Sequence, residues 1–303
     1  MMTGMDESAW IDVLAIGAHP DDAEMGAGGT LLRLGALGYR TGILDMTRGE
    51  MGTRGTAKDR AREAADAARI LCVSWREALD IPDGRVENTW KNRLKVARVI
   101  RETRPRVVIL PYWEGRHPDH YTASKLGYEA CFLAGLAKLN VERALSIQHS
   151  AFSQVASAVA SVVAGEKQDF RKGTTSSRAV TLHPSDIGTT ESRALPEDHG
   201  DLAPHRPFKI IYATLYYDIR PTFVVDITDQ FEARFESLMA YKSQFSDQEA
   251  GRDIFPARAE IRARIEAMAR FYGMLAGVTY AEPFLQKEVG LVEDMTAIPV
   301  KSI

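Results

Sequence analysis

The sequence contains only two cysteines, Cys72 and Cys131, among its 303 residues. Two thiols cannot build a disulfide framework, and they are too few for an all-thiolate zinc site. Both lie in apolar stretches of predicted helix, so we expect both to be buried. No run approaches the ~18 consecutive apolar residues of a membrane-spanning helix. The segment from Met1 to Trp10 lacks the basic and apolar regions of a secretory signal, so we expect a cytoplasmic protein.

The sequence also lacks an excess of either charge. Its 38 Lys and Arg residues nearly balance 41 Asp and Glu residues, which leaves a net charge of -3. This balance argues against a general nucleic-acid binder and against a protein that binds membrane surfaces. Hydrophobic residues make up 45% of the chain and charged residues 26%, which excludes a disordered, collagenous or coiled-coil protein. The length suits two domains, or one large α/β domain with an insertion.

Hydrophobic periodicity predicts that strands and helices alternate four times in the first 140 residues. The predicted strands cover residues 11–17, 41–46, 76–81 and 106–111, and the predicted helices cover 25–38, 57–71, 90–103 and 120–139. This alternation indicates a Rossmann-like α/β fold, in which right-handed crossovers place helices on both faces of a mostly parallel sheet.

The alternation stops after the fourth predicted helix. Residues 141–206 are rich in Ser, Thr and Ala, and we predict a long insertion there that is partly helical near 151–164. Beyond it the pattern predicts strands at 209–217 and 222–227 and helices at 231–244 and 257–274. We therefore predict a single domain over residues 1–303 with an insertion at about 141–206.

Two clusters of His and Asp follow predicted strands. The sequence A-H-P-D-D-A-E occupies residues 18–24, and R-H-P-D-H occupies residues 116–120. In open α/β sheets, ligands bind outside the carboxyl ends of the strands. Both clusters should therefore lie at the same edge of the sheet, although about 100 residues separate them.

Imidazole and carboxylate groups together suit Zn²⁺ and other borderline divalent ions. A catalytic zinc takes three protein ligands and lowers the pKa of a bound water to about 7. Asp21 and Asp22 are adjacent, so that if one binds metal the other is free to act as a general base. His117 and Asp119 could form an oriented acid–base pair beside the metal.

Other interpretations remain open for the same residues. Each cluster could simply cap a helix or make a satisfied polar contact. Gly26, Gly28 and Gly29 invite a nucleotide-binding interpretation, but the third glycine of G-x-G-x-x-G is missing. We interpret these glycines as sites of close packing between helix and sheet. The sequence H-P-S-D at 183–186 follows no predicted strand and is taken as a loop, and His205 is taken as a surface residue.

The two clusters together resemble the signature of the LmbE/PIG-L family of zinc-dependent de-N-acetylases. The family pattern is A-H-P-D-D-x-E after the first strand and a later H-P-D-H, and both parts are complete here. Within the family, the sequence is most similar to the bacillithiol-pathway deacetylases, which act on N-acetylglucosaminyl-malate. The similarity covers residues 11–140 and 207–285 and includes P-Y-W-E-G-R at 111–116, T-F-V-V-D-I at 222–227, Y-K-S-Q-F at 241–245 and Y-A-E at 280–282.

The resemblance implies a role for each matching residue. His19, Asp22 and His120 match the zinc ligands of the family, with one Zn²⁺ per chain. Asp21 matches the general base that activates water. These assignments divide the two adjacent aspartates between metal binding and proton transfer.

Four more residues receive roles from the same resemblance. His117 matches the histidine that assists the tetrahedral intermediate and the leaving amine, and Asp119 matches its orienting partner. Arg60 and Arg116 match arginines that line the substrate pocket, where a planar guanidinium suits a malate-like carboxylate. Either arginine could instead pair with a local acid such as Glu50.

The resemblance thus implies a metal-dependent amide hydrolase that deacetylates an N-acetylglucosamine conjugate, with N-acetylglucosaminyl-malate as the expected substrate. We expect a homo-oligomer whose partner is this small molecule, without nucleic-acid or membrane binding. One alternative is a deacetylase of the same fold that acts on another N-acetylated sugar or amide. An alternative from a different class is a Rossmann-like nucleotide-binding module without hydrolytic activity.

Overall fold

The computed structural model describes residues 10–146, 202–214, 219–246 and 256–300. The described residues up to Leu139 and from Ala203 onward form one compact unit. A second unit, Asn140–Leu202, lies almost entirely outside the described residues, as does the helix predicted near 151–164.

Within the described ranges, seven strands form one sheet in the order β3-β2-β1-β4-β5-β7-β6. Strands β1 to β5 run parallel, whereas β7 is antiparallel to both β5 and β6. The strands are β1 (Val13–Gly17), β2 (Thr41–Asp45), β3 (Trp75–Ala78), β4 (Val107–Pro111), β5 (Lys209–Ala213), β6 (Phe223–Asp226) and β7 (Ala281–Leu285). This architecture confirms the predicted α/β fold with a mostly parallel sheet.

Helices cover both faces of the sheet. They are α1 (Asp22–Ala36), α2 (Ala57–Ile70), α3 (Trp90–Thr103), α4 (Pro118–Ala134), α5 (Phe231–Met239), α6 (Lys242–Phe245) and α7 (Arg258–Ala276). Alternate residues of β1 enter different cores, because successive side chains of a strand point to opposite faces. Leu14 and Ile16 pack with α3 and α4, whereas Val13 and Ala15 pack with α1. None of these helices combines the length and apolar character needed to cross a membrane.

Most predicted elements are present, with shifted ends. Helix α3 has the predicted bounds, and the hydroxyl of Thr89 caps it by accepting a hydrogen bond from Asn92 N at 3.2 Å. Helix α1 begins three residues earlier than predicted, at Asp22. The single helix predicted at 231–244 is two helices, because the chain breaks helical geometry at Tyr241. Strand β7 was not predicted at all.

The expectation of two buried thiols is wrong for one of them. Cys131 is buried in α4, but Cys72 is exposed. Cys72 lies just after the C-terminal end of α2 with a φ of 54°. This left-handed turn ends the helix and leaves the side chain of Cys72 in solvent.

The glycines of α1 allow close packing, as expected. The residues packed against them belong to the segment after strand β6 and not to the sheet itself. A Cβ on Gly29 would lie 2.8 Å from Cγ2 of Ile227, and one on Gly28 would lie 3.2 Å from Cγ of Arg234. No side chain larger than hydrogen fits beside Ile227 without a shift.

An ion pair joins β7 to the same part of α1. Nε of Arg234 lies 2.9 Å from the Glu282 carboxylate, which also accepts hydrogen bonds from Gly29 N at 2.9 Å and Thr30 N at 2.7 Å. Arg234 in turn donates to the carbonyl oxygen of Met25. Both charged side chains are buried, so the pair satisfies backbone groups of α1 away from water.

Candidate active site

The order of the sheet brings the two predicted clusters together. Strands β1 and β4 are neighbours at the point where the order of the strands reverses, and both clusters follow the carboxyl ends of these strands. This position is the usual ligand crevice of an open α/β sheet. The turn after β3, with the sequence P-D-G at 82–84, reaches the same edge.

The first cluster forms a tight turn between β1 and α1. One oxygen of Asp22, Oδ2, accepts hydrogen bonds from Ala18 N and His19 N, both at 2.9 Å. Asp21 precedes the helix with a φ of 114°, which is a strained conformation for a residue other than glycine. Strained residues of this kind cluster at functional sites, where the surrounding structure holds them.

The second cluster starts α4. Pro118 occupies the first turn of the helix, where its missing N–H costs nothing. Nδ1 of His117 accepts a hydrogen bond from Asp119 N at 3.2 Å, so the neutral form of His117 carries its proton on Nε2. His120 lies one turn into the helix and faces His19.

Three donor groups from the two clusters form a triangle that we call the donor triangle: Nδ1 of His19, Nε2 of His120 and the carboxylate of Asp22. The nitrogen atoms are 3.3 Å apart, Oδ1 of Asp22 lies 3.2 Å from His120 Nε2, and Oδ2 of Asp22 lies 3.5 Å from His19 Nδ1. A tetrahedral zinc with bonds of about 2.0–2.2 Å separates its donors by roughly 3.3–3.6 Å. The chemistry and spacing of the triangle therefore fit such an ion.

Nε2, the second ring nitrogen of His19, faces two other carboxylates. It lies 3.0 Å from Oδ1 of Asp83 and 3.2 Å from Oδ2 of Asp119. Histidines that bind metal through one nitrogen usually donate the other N–H to a carboxylate. His19, His117 and His120 form one compact group of possible metal ligands, and His19, Asp83 and Asp119 form another. We favour the donor triangle, because it leaves these two carboxylates to orient His19.

The electrostatics of the site favour a cation. Burial alone would lower the pKa of His19, but the surrounding Asp119, Asp22 and Asp83 outweigh it and raise the pKa to about 12. Burial opposes ionisation of Asp22, yet His120 and His19 hold its pKa well below the usual range. A concentration of negative charge that stabilises an imidazolium also stabilises a divalent cation.

Asp21 is placed differently from its neighbour. Burial raises its pKa to about 7, although the guanidinium of Arg60 acts in the opposite direction. Nη2 of Arg60 lies 3.3 Å from Oδ2 of Asp21. A carboxylate with a pKa near neutrality is well matched to accept a proton from water at pH 7.

Arg60 has other partners than the substrate carboxylate expected from the resemblance. It is only 4% exposed, donates to the carbonyl oxygen of Pro20 and to Asp21, and stacks 5.2 Å from the ring centre of Tyr241. The alternative of pairing with a local acid describes it better, although the acid is Asp21 and not Glu50. These contacts make Arg60 a support for Asp21.

His117 and Arg116 lie at the exposed side of the site. The ring of His117 is 4.7 Å from that of His19 and 4.9 Å from that of His120, between ring centres. Partial burial and these two neighbours lower the pKa of His117. The carboxylate of Asp119, expected to orient His117, instead accepts hydrogen bonds from Gly84 N at 2.8 Å and Val86 N at 3.1 Å and contacts His19.

The supports behind the site were not predicted from the sequence. Asp83, beside His19, could have been found from its position in a turn after the third predicted strand. Arg76 is nearly buried and joins Glu24 of α1 to Asp45 of β2, at 2.6 Å and 2.8 Å. The hydroxyl of Tyr241 donates to the same Glu24 at 2.8 Å. These residues are distant in sequence, and no local motif links them.

Comparisons with known proteins indicate a family of deacetylases. Residues 14–131 match the family model described as PIG-L, GlcNAc-PI de-N-acetylase. The diacetylchitobiose deacetylase of Thermococcus kodakarensis is 28% identical over 281 residues, which cover 89% of this chain and 80% of that protein. The uncharacterized deacetylase YaiS of Escherichia coli is 33% identical over 125 residues, covering 39% of this chain and 67% of that protein.

A solved structure is similar to this chain over nearly its whole length. The conserved protein TT1542 from Thermus thermophilus is 32% identical and superposes with a TM-score of 0.66, covering 93% of this chain and 98% of that one. Both signature clusters lie inside the region that matches the family model. The chain therefore belongs to the PIG-L family of GlcNAc-PI de-N-acetylases, which makes it a hydrolytic N-deacetylase.

Proposed function

We propose that the protein is a zinc-dependent hydrolase that removes the acetyl group from an N-acetylglucosamine conjugate. The donor triangle of His19, Asp22 and His120 carries this proposal, because its spacing and charge suit a zinc ion. The relative that deacetylates diacetylchitobiose supports a sugar substrate. As the specific substrate we propose N-acetylglucosaminyl-malate, in a cytoplasmic homo-oligomer with one catalytic domain and an insertion at about 141–206.

The triangle would hold one zinc ion per chain. When bound, zinc supplies Lewis-acid chemistry that polarises a carbonyl and lowers the pKa of water. Asp119 and Asp83 keep Nε2 of His19 hydrogen-bonded, which turns Nδ1 towards the other two ligands. Asp119 is therefore proposed as a positioning residue for His19.

Proton transfer is assigned to Asp21, and stabilisation of the oxyanion is assigned to His117. Asp21 accepts a proton from the attacking water, and Arg60 holds its carboxylate in place. Nε2–H of His117 stabilises the oxyanion that develops on the amide oxygen, since Nδ1 is already an acceptor. Asp21 then gives the proton it took from water to the departing amine, which leaves as a glucosamine together with acetate.

The two adjacent aspartates give the sharpest test of this division. Asp21→Asn should keep the metal and lose roughly 10²–10⁴-fold in turnover, because it removes only the general base. Asp22→Ala should lose the metal itself. Elemental analysis and acetate release, measured on the same preparations, separate the two effects. Equal metal loss in both variants would contradict the assignment.

Arg116, which lies beside His117 at the exposed side of the site, is the proposed contact for the malate carboxylate. Arg116→Ala should raise KM for a conjugate that bears a carboxylate and change little for a neutral N-acetylglucosaminide. Equal losses on both substrates would leave the deacetylase proposal standing but would favour another N-acetylated sugar as the substrate. Light scattering after size exclusion tests the homo-oligomer.

A further inference from the structure

An apolar cavity of about 410 Å³ lies at the sheet edge that carries the site. Its volume falls in the range of small-molecule pockets, roughly 300–1,000 Å³. It is lined by the first turns of α1, the loop before α4, the chain just after β5, the start of β7 and one face of α7. An acetyl group alone would fill only a small part of this volume.

The cavity lies next to the catalytic clusters. Met25 and Gly26 line it one turn after Asp22 on α1, and Arg116 lines it immediately before His117. Antiparallel pairing places the start of β7 beyond the carboxyl end of β5, at the same edge as the donor triangle. A substrate whose amide is held at the triangle can therefore extend into the cavity.

Much of the cavity wall is apolar. From α7, Ile261, Ile265 and Met268 contribute apolar side chains. Four charged residues also line the wall: Arg234 and Glu282 pair with each other, Arg264 pairs with Glu260, and Arg116 lies at the end next to His117. An apolar wall binds through the removal of apolar surface from water, so the fitting ligand group is itself apolar.

One polar atom in the wall is unusual. Thr214 is 4% exposed, and within the described part of the chain its hydroxyl has no hydrogen-bond partner. Buried polar side chains are normally satisfied, and each exception calls for a specific reason. The hydroxyl oxygen has almost no accessible surface in this structure, so a ligand in the cavity would reach it only after the wall shifts.

We propose that this cavity binds an apolar alkyl or aryl group carried by the glucosamine substrate. The inference rests on the proposed deacetylation and names the substrate class that the site prefers. The apolar group can enter either as a longer N-acyl chain or as the aglycone of the sugar. If the apolar group is the N-acyl chain, the sugar can still carry malate. If it is the aglycone, it takes the place of malate.

The test compares matched substrates on the zinc-loaded full chain. The aglycone arm uses methyl and hexyl glycosides of N-acetylglucosamine, and the acyl arm uses N-acetyl and N-hexanoyl glucosamine. Each buried methylene strengthens binding by roughly threefold to fourfold. We therefore expect the longer member of one pair to show a kcat/KM at least about tenfold higher, through a lower KM.

Two methionines on α7 provide matched variants. Met268 lines the cavity, whereas Met274 lies on the same helix, is 69% exposed and is not part of the cavity wall. Met268→Gln should reduce the preference for the longer substrate severalfold. Met274→Gln should leave both unchanged.

Failure of the inference and failure of the deacetylase proposal give different results. No acetate or amine from any compound would refute deacetylation itself. Equal kcat/KM for short and long members of both pairs, with turnover intact, would overturn the cavity proposal alone. Identical substrate preference in the Met268 and Met274 variants would also overturn it. Hexyl glucoside has no amide to hydrolyse, so it reports binding without turnover. Calorimetry of its binding should give a negative heat-capacity change that methyl glucoside lacks.

Discussion

Replacing Arg76 by methionine should destabilise the protein strongly, because this guanidinium neutralises two buried carboxylates. It forms two hydrogen bonds to Asp45, at 2.8 Å and 3.0 Å, and one to Glu24 at 2.6 Å. Asp45 is 1% exposed and Glu24 is fully buried. Removing one partner of a buried ion pair costs about 3–5 kcal/mol, because the remaining charge is left unpaired. We expect a loss of this size in the free energy of unfolding of Arg76→Met at pH 8.

The loss should be smaller at low pH. Burial raises the pKa of Asp45 to about 6, although Arg76 opposes the shift, so without Arg76 the pKa rises further. A carboxyl whose pKa is higher in the folded protein than in the unfolded chain destabilises the fold increasingly as pH rises from the unfolded to the folded value. At pH 5, Asp45 is protonated in the folded variant, and part of the destabilisation is relieved.

Urea denaturation of wild type and variant at pH 5 and pH 8 measures both effects. Arg69→Met serves as the control, because Arg69 is 77% exposed and pairs with Asp66 on the surface of α2. Exposed pairs of this kind contribute about 0–1 kcal/mol. A loss in Arg76→Met no larger than the control, or a loss of equal size at both pH values, would refute the buried-charge argument.

Two further predictions concern packing and thiol chemistry. Gly29→Ala should destabilise the protein by about 1–3 kcal/mol, because the new methyl group would overlap Ile227. Gly35→Ala has no neighbour within 4 Å and should stabilise the protein by up to about 1 kcal/mol. Thermal unfolding of both variants measures the difference. A thiol reagent at pH 8 should modify Cys72 alone in the native protein and both cysteines in denaturant, since burial raises the pKa of Cys131 to about 12, and two modified thiols in the native protein would contradict the structure.

The parallel part of the sheet could be predicted because each of its strands is an apolar run followed by a helical pattern. Strand β7 carries no such signal: its sequence A-E-P-F-L contains Glu282 and Pro283. The glutamate is tolerated there because it pairs with Arg234 and accepts two backbone N–H groups of α1. That compensation is a tertiary contact, and no local pattern predicts it.

The candidate site could also be predicted only in part. The convergence of His19 and His120 followed from strand order, because both clusters end neighbouring parallel strands. The partners of Arg60 could not be predicted, since they depend on a strained turn at Asp21 that brings Pro20 O and the carboxylate to the start of α2. Spacing along the chain identifies which residues share an edge, but the direction of each side chain depends on its packing.

The ion pair between Arg234 and Glu282 affects the order in which parts of the chain can complete their folding during synthesis. Helix α1 carries Asp21 and Asp22 at its start and is synthesised early, yet two of its backbone N–H groups bind a carboxylate 253 and 252 residues further along the chain. A nascent chain that has not reached Glu282 leaves Gly29 N and Thr30 N without these partners. The first signature motif to leave the ribosome therefore receives its final support only after β7 has emerged.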